Sequence, residues 1–459
     1  MQQIVKKMKR ILLLIPLVLM LFGCTSSDDD DEQLPDTPEP AIPGKPDYPR
    51  GPFDRTVLVY ISGENNLNSY IPTELSEMRK GSRGIGNSAL VVYVDNCSQQ
   101  SLPYVLWIKE GETVDSMTLE EDPISSSPET MKYIMNYTST YYPANEYGLV
   151  LWGHNSGWVK EDSVATVSSG KANVQAKRRG YGVDNGQNRQ SATGKWMNIS
   201  TLSQVLRQWH HLRFIMADCC QFQCIESAYE LKDVTDYIIG SPAEVPGEGA
   251  PYDTVMEGLF EQSGTFYKTI ADKYFDQISK STDSLRTPLS VIYTKALPQL
   301  AKATNTVLHT FLPLPDNAYP DMNRLIYYRG NINNTQESLM YDMNDFILKY
   351  TMMKEQSTAA DTTAYLEWKR AFDQAVIYKK NAKTGWLTNR QIRNTVFSYL
   401  SDERYGGVSM FVPQEREGTW YEPYTKSGSG NITIDFEGYN AEIKGTSWYG
   451  AAGLAEFGW

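Results

Sequence analysis

The chain has 459 residues, a formal net charge of −12, 41% hydrophobic and 21% charged residues. That length holds one large domain with an extension, or two domains, and the apolar share is enough for most of it to fold. The acidic balance argues against a nucleic-acid partner, which needs a basic face, and is compatible with cationic substrates, although acidity also serves solubility alone.

Lys6, Lys7, Lys9 and Arg10 precede an apolar run, 11–22, that ends in Leu21-Phe22-Gly23-Cys24. A basic segment, a short apolar core and a small residue before the cut describe an export signal over residues 1–23. The run is shorter than the roughly 20 residues of a membrane-crossing helix. Its ending resembles a bacterial lipobox, which implies cleavage before Cys24, a lipid on that thiol and attachment to a membrane. Residues 24–52 then read as a tether, with Asp28-Asp29-Asp30-Asp31-Glu32 followed by prolines at 35, 38, 40, 43, 46, 49 and 52, because like charges and proline disfavour compaction. The acidic run resembles the surface-export signal of Bacteroidetes lipoproteins, implying an outer-membrane, cell-surface location; four aspartates in a tether also serve solubility.

From Arg55 onward, continuous β-branched runs alternate with helical patterns. Residues 56–61, 89–94, 147–152 and 212–217 read as strands buried on both faces, and 237–240 as a fifth. Stretches 127–141 and 224–231 read as helices between them. The alternation predicts an α/β fold with a mostly parallel sheet, whose chemistry gathers beyond the carboxyl ends of the strands. Beyond about residue 270, 288–293 and 407–412 read as further strands. The predicted domain is 53–270, and 271–459 is an extension completing or flanking it.

Five cysteines, at 24, 97, 219, 220 and 224, are too few and too clustered for a disulfide framework. A metal site from Cys219, Cys220 and Cys224 lacks the usual C-x2-C spacing and an evident fourth ligand, so no metal ligand is assigned. Of four histidines, His210 and His211 precede a strand, on the side away from the expected active edge, and His309 lies in a helical pattern. His154 follows a buried strand in a small-residue turn, Gly153-His154-Asn155-Ser156-Gly157-Trp158, and the Asp218-Cys219-Cys220 sequence follows another. A thiol needs a neighbouring base to become nucleophilic near neutral pH, and histidine serves both as proton acceptor and later donor.

These residues resemble the clostripain family of cysteine peptidases. Residues 56–67 are similar to its opening strand and turn, Leu151-Trp152-Gly153-His154 with Gly157-Trp158 to its histidine motif, Asp218-Cys219-Cys220 to its nucleophile motif, and 246–252 to its specificity loop. The four motifs stand in family order over about 200 residues. The resemblance implies a caspase-like fold, shared with gingipains and legumains, and a Cys220–His154 dyad acting through a thioacyl-enzyme. It implies backbone N–H donors of Asn155 and Cys220 for the oxyanion, and protein or peptide substrates cut after Arg or Lys. Asp218 matches an acidic pocket position and Glu248 stands where the family often has aspartate. Asn155 departs from the glycine usual after the histidine, which leaves open an inactive homologue, alongside a surface lipoprotein that binds peptide or glycan. No cofactor is expected; calcium enters by resemblance only, without a visible loop motif. Residues 159–179 read as an exposed loop, with Lys171, Lys177, Arg178 and Arg179 as candidate sites of activating self-cleavage.

Overall fold

The apolar runs assemble side by side. Chain order gives β1 (Phe53–Gly63), β2 (Ala89–Asn96), β3 (Tyr104–Lys109), β4 (Glu112–Thr118), β5 (Ala144–Trp152), the short pair β6 (Tyr181–Asp184) and β7 (Lys195–Met197), then β8 (Leu212–Asp218), β9 (Thr235–Gly240), β10 (Leu289–Tyr293), β11 (Tyr327–Gly330), β12 (Ser338–Asp342), β13 (Val376–Lys380) and β14 (Ser409–Met410). The structure, a computed structural model, describes residues 49–98, 101–159, 180–186, 194–276, 287–330, 338–383, 385–387, 398–414, 418–422, 430–434 and 436–459. Cys24 and the four candidate cleavage residues Lys171, Lys177, Arg178 and Arg179 lie outside the described residues.

Nine strands form the main sheet in the order β13-β10-β9-β8-β5-β1-β2-β3-β4. The central strands β9, β8, β5, β1 and β2 run parallel, and antiparallel strands close both edges. Residues 57–61 of β1 are all fully buried, so both faces of the sheet are covered. That is why these strands read as unbroken apolar runs rather than alternating ones.

The helices are α1 (Ile71–Gly81), α2 (Pro128–Tyr141), α3 (Ile199–Arg207), α4 (Ile225–Glu230), α5 (Tyr252–Phe260) and α6 (Phe266–Phe275), followed by later helices from Leu297 onward. They pack in two groups, α1 with α5 and α6, and α2 with α3 and α4. Helix α2 begins where the chain supplies its own cap: the Ser127 side chain accepts the Thr130 N–H, and Pro128 stands at the first helical position, where a missing N–H costs nothing. Among the described residues no helix is long and apolar enough to cross a membrane.

Residues beyond 270 supply β10 and β13 to the main sheet. The run 407–412 pairs only at Ser409–Met410, within the small sheet β11-β12-β14. That segment buttresses the turn after β8: Cys224 bridges Ser409, and the Phe411 N–H donates to Glu226 Oε1 at 2.7 Å.

Candidate active site

Strand register brings the two motifs together. In the pairing of β5 with β8, Trp152 stands opposite Asp218. His154 and Cys220 each follow that pair by two residues, so they leave the sheet from neighbouring parallel strands at one level. A side-chain bond ties the two turns: Asn155 Nδ2 donates to the Cys220 carbonyl at 2.7 Å.

The histidine turn is shaped by its glycines. Gly153 (φ 142°) and Gly157 (φ 70°) take angles that other residues rarely adopt. Asn155 is not among the positive-φ residues, so tolerance of unusual angles is not why asparagine stands there. Asn155 also bridges Tyr181 of β6. That bridge uses the Ser156 N–H to Gly180 (3.2 Å) and the Gly182 N–H to the His154 carbonyl (2.8 Å), leaving the Asn155 N–H outside it. The His154 ring meets Asn66 Oδ1 through Nε2 at 2.7 Å, and its centroid lies 6.2 Å from that of Trp196. Because an amide oxygen only accepts, Nε2 carries the proton in this bond and Nδ1 is the basic nitrogen of the neutral ring.

The thiols separate. Cys219 is 2% exposed, and burial, with the charges of Cys220 and Asp218, pushes its thiol well up. Cys220 is half-buried, and its sulfur accepts the Val245 N–H at 3.4 Å. The next residue, Gln221, has φ 56°, a left-handed angle uncommon for a non-glycine residue, and its N–H donates to the Ala243 carbonyl at 2.8 Å. A backbone conformation of this kind persists only where its surroundings hold it, and such residues cluster at functional sites. Cys224 points elsewhere, with its sulfur 3.0 Å from Ser227 Oγ. The three neighbouring cysteines therefore do not converge on a common point.

Asp218 anchors the loop at 246–252. It is 4% exposed; Oδ2 accepts the Ala250 N–H (3.0 Å) and the Tyr252 hydroxyl (2.9 Å), and Oδ1 accepts the Tyr274 hydroxyl (2.5 Å). Burial raises its carboxyl pKa, while the three donors favour its anion. A Cβ on Gly249 would stand 2.8 Å from Asp218 Oδ2, so glycine is required where the loop crosses the carboxylate. Glu248, one residue earlier, is half-buried.

His210 and His211 sit at the opposite end of the sheet, His210 stacked on Tyr147 and His211 against Asp236. His309 pairs with Glu456. The contributions of Asn66, Trp196, Gln221, Tyr252 and Tyr274 were invisible in the motifs, because each depends on contacts across long stretches of chain. Among the described residues, the donor set that could hold a metal is oxygen-only: Glu64, Asp95 and Asp122.

A histidine and a thiol on adjacent parallel strand ends of a helix-covered sheet form the scaffold of a caspase-like cysteine peptidase. The sequence profile of the clostripain family matches residues 59–437, and the chain belongs to that family. It is similar to clostripain of Hathewaya histolytica, 20% identical over 236 residues; the match covers 46% of this chain and 43% of that protein, so the chain spans less than half the relative's length. Among solved structures, it is similar to a secreted cysteine protease from Bacteroides thetaiotaomicron in complex with an irreversible peptide inhibitor. The identity is 26% and the TM-score 0.63, covering 88% of this chain and 99% of that one. An inactive zymogen protease from Parabacteroides distasonis is similar to the same extent: 26% identity, TM-score 0.63, and 88% and 99% coverage.

Proposed function

We propose that the chain is a cysteine endopeptidase. His154 takes the proton of the Cys220 thiol, the thiolate attacks the scissile carbonyl, and the backbone N–H groups of Asn155 and Cys220 hold the oxyanion. The imidazolium then protonates the leaving amine, and water hydrolyses the thioacyl-enzyme. The observation that carries this reading is the Trp152–Asp218 register, with the Asn155–Cys220 bond that ties the two turns. Asn66 holds the ring through Nε2, the orienting role that a dyad otherwise lacks.

Substrates are peptides with Arg or Lys before the cut. Asp218 and Glu248 supply negative charge at the cysteine and on its neighbouring loop, and an anionic pocket favours cations because an unpaired buried carboxylate is costly. With both Asp218 oxygens already accepting three bonds, Glu248 is the freer direct partner for a substrate cation, and Asp218 contributes field and loop position. Self-cleavage at Lys171, Lys177, Arg178 or Arg179 is supported by the sequence alone, since the polar stretch 159–179 lies between the two proposed catalytic residues and carries these four basic side chains. The Parabacteroides relative is described as an inactive zymogen. The lipobox and acidic tether support a Cys24 lipid anchor at the outer membrane and cell surface, and the Bacteroides relative is described as secreted.

Labelling with a peptidyl-arginine or peptidyl-lysine chloromethyl ketone, followed by peptide mapping, tests the reading. The label is expected on Cys220, lost in His154→Ala and absent with a leucine probe. A label on Cys219 moves the nucleophile. No label on the processed chain, together with intact peptide binding, leaves a binding lipoprotein instead.

A further inference from the structure

The groups around the site stand in line along one edge of the sheet. Strand order there is β9-β8-β5-β1. Loop 246–252, with Glu248, follows β9; Cys220 follows β8; His154 follows β5. The next place in that order is taken by the β6–β7 hairpin, which is anchored on β1 and β5. The Tyr181 hydroxyl meets the carbonyls of Tyr60 (3.2 Å) and Trp152 (3.3 Å). Asn65 Nδ2 donates to the Val183 carbonyl (2.8 Å), and the Gly182 N–H to the His154 carbonyl (2.8 Å). The second strand is held as well: Ser126 Oγ donates to the Lys195 carbonyl at 2.8 Å, and Met197 is buried. Between these two residues Trp196 is half-buried, its ring centroid 6.2 Å from that of His154 and the two planes tilted by 45°. A firmly seated indole with part of its surface in water buries that surface when an apolar group binds against it.

We propose that Trp196 is a specificity-determining residue for the amino acid directly after the cut, favouring a large apolar or aromatic side chain there. The proposal rests on the reading of His154 and Cys220 as the dyad. In that reaction Sγ of Cys220 bonds to the scissile carbonyl carbon, the C–N bond breaks, and the departing amine takes its proton from the His154 imidazolium. The leaving nitrogen therefore lies on the His154 side of the thiol, and the basic side chain before the cut on the side of loop 246–252. The residue that carries the leaving nitrogen extends past the imidazole, toward Trp196. Neighbouring strands stand about 4.8 Å apart, and an extended peptide advances roughly 3.5 Å per residue. Consecutive substrate residues thus meet consecutive elements of this edge.

The contact has a kinetic signature. It is made only while the leaving residue is attached, so it acts on formation of the thioacyl-enzyme. Once the amine has departed, hydrolysis of that intermediate proceeds without it. Trp196 accordingly sets kcat/KM for the residue after the cut and leaves the rate of deacylation alone. Glycine or aspartate at that position gives the indole no apolar partner, whereas leucine or phenylalanine removes its exposed face from water.

The test uses the full chain and a series of arginine-containing peptides that differ only in the residue after the cut: phenylalanine, leucine, glycine or aspartate. Wild type is expected to cleave the phenylalanine and leucine peptides with kcat/KM about tenfold above the glycine peptide, within the range that apolar pockets give. Trp196→Ala is expected to bring that ratio near one, and Trp196→Phe to keep most of it. Should Trp196→Ala fail to fold, Trp196→Thr, which suits a strand, carries the same expectation. A peptidyl-arginine chloromethyl ketone has no residue after the cut, so its labelling rate is expected to fall far less in Trp196→Ala than cleavage of the phenylalanine peptide. Wild type that takes the label on Cys220 yet cleaves all four peptides alike overturns this proposal and leaves the dyad standing. A folded Trp196→Ala that keeps the preference also overturns it. So does one that loses labelling and all four cleavages equally, since the indole then only supports the imidazole. Wild type that takes no label fails the dyad reading, and this proposal with it.

Discussion

Nε2 of His154 lies 2.7 Å from Oδ1 of Asn66, a residue 88 positions earlier on the turn after β1. The bond selects the tautomer, and with it which ring nitrogen serves as base. Asn66→Ala is expected to lower kcat by roughly 10- to 100-fold, the worth of one hydrogen bond to a group that becomes charged, with Tm nearly unchanged. Asn66→Asp should stabilise the imidazolium and move the acidic limb of the pH–rate profile to higher pH. An alanine variant with wild-type kcat and an unmoved profile makes Asn66 a bystander.

The adjacent cysteines give opposite expectations. Cys219 is buried beneath the turn with its thiol pushed up, and Cys220 is half-buried at the edge. Cys220→Ala is expected to remove activity by several orders of magnitude, and Cys219→Ala to retain most of it while losing some stability. Steady-state rates with an arginyl-amide substrate decide between them; a dead Cys219→Ala that still melts like wild type reverses the assignment.

Asn155 replaces a glycine usual in the family with a strut to the Cys220 carbonyl. Asn155→Gly removes the strut and is expected to lower kcat about tenfold, the value of a bond near 1.4 kcal/mol. Asn155→Asp is expected to be worse, since its carboxylate would face a carbonyl with no proton to offer. Equal rates for all three chains would show that the turns hold their spacing without this bond.

The sequence disclosed the parallel core for a physical reason. Strands β1, β2, β5, β8 and β9 are buried on both faces, so burial writes itself as continuous apolar runs. β3 and β4 were not read. β4 alternates exposed and half-buried residues at the sheet edge and carries Glu112 and Asp115, so no apolar run betrays it. Val408, Phe411 and Val412 are buried by packing, with pairing confined to Ser409–Met410, so a strand-like run proved mostly unpaired. His154 and Cys220 stood out as candidates because each follows a buried strand by two residues. Asn66 and Asp95 were not, since their partners arrive from Gly153–Asn155 and Asp184, and spacing along the chain carries no trace of that.

The carboxylate cluster of Glu64, Asp95 and Asp122 gives a pH signature. Burial first, then the negative charge of Asp184, pushes the Asp95 carboxyl up to about 9, against an unfolded value near 4. Between those values the folded chain holds more protons than the unfolded one, so this group's contribution falls as pH rises. The other groups facing Asp95 are Glu64, Asp122 and Ser125, with the phenols of Tyr60 and Tyr93, which burial keeps protonated throughout. Wild type is therefore expected to lose more Tm than Asp95→Asn between pH 6 and 9. A gap that does not widen with pH removes Asp95 as its source.

The final prediction separates the two acids assigned to substrate charge. Asp218 accepts from Ala250, Tyr252 and Tyr274, so its carboxylate holds the loop that carries Glu248. Asp218→Asn keeps an oxygen but places an amide donor among hydroxyl and N–H donors. It is expected to cost about 1.5–3 kcal/mol of stability and to lower cleavage of all substrates, basic or neutral. Glu248→Gln leaves those loop bonds untouched. It should keep Tm within about 1 °C, as expected of a substitution outside the buried network, while lowering kcat/KM for arginyl and lysyl substrates roughly 10-fold or more and sparing neutral ones. Melting curves and a substrate panel differing only in the residue before the cut distinguish them. If Asp218→Asn alone loses basic preference with Tm unchanged, the buried carboxylate reads the substrate directly and Glu248 is a solvated loop charge.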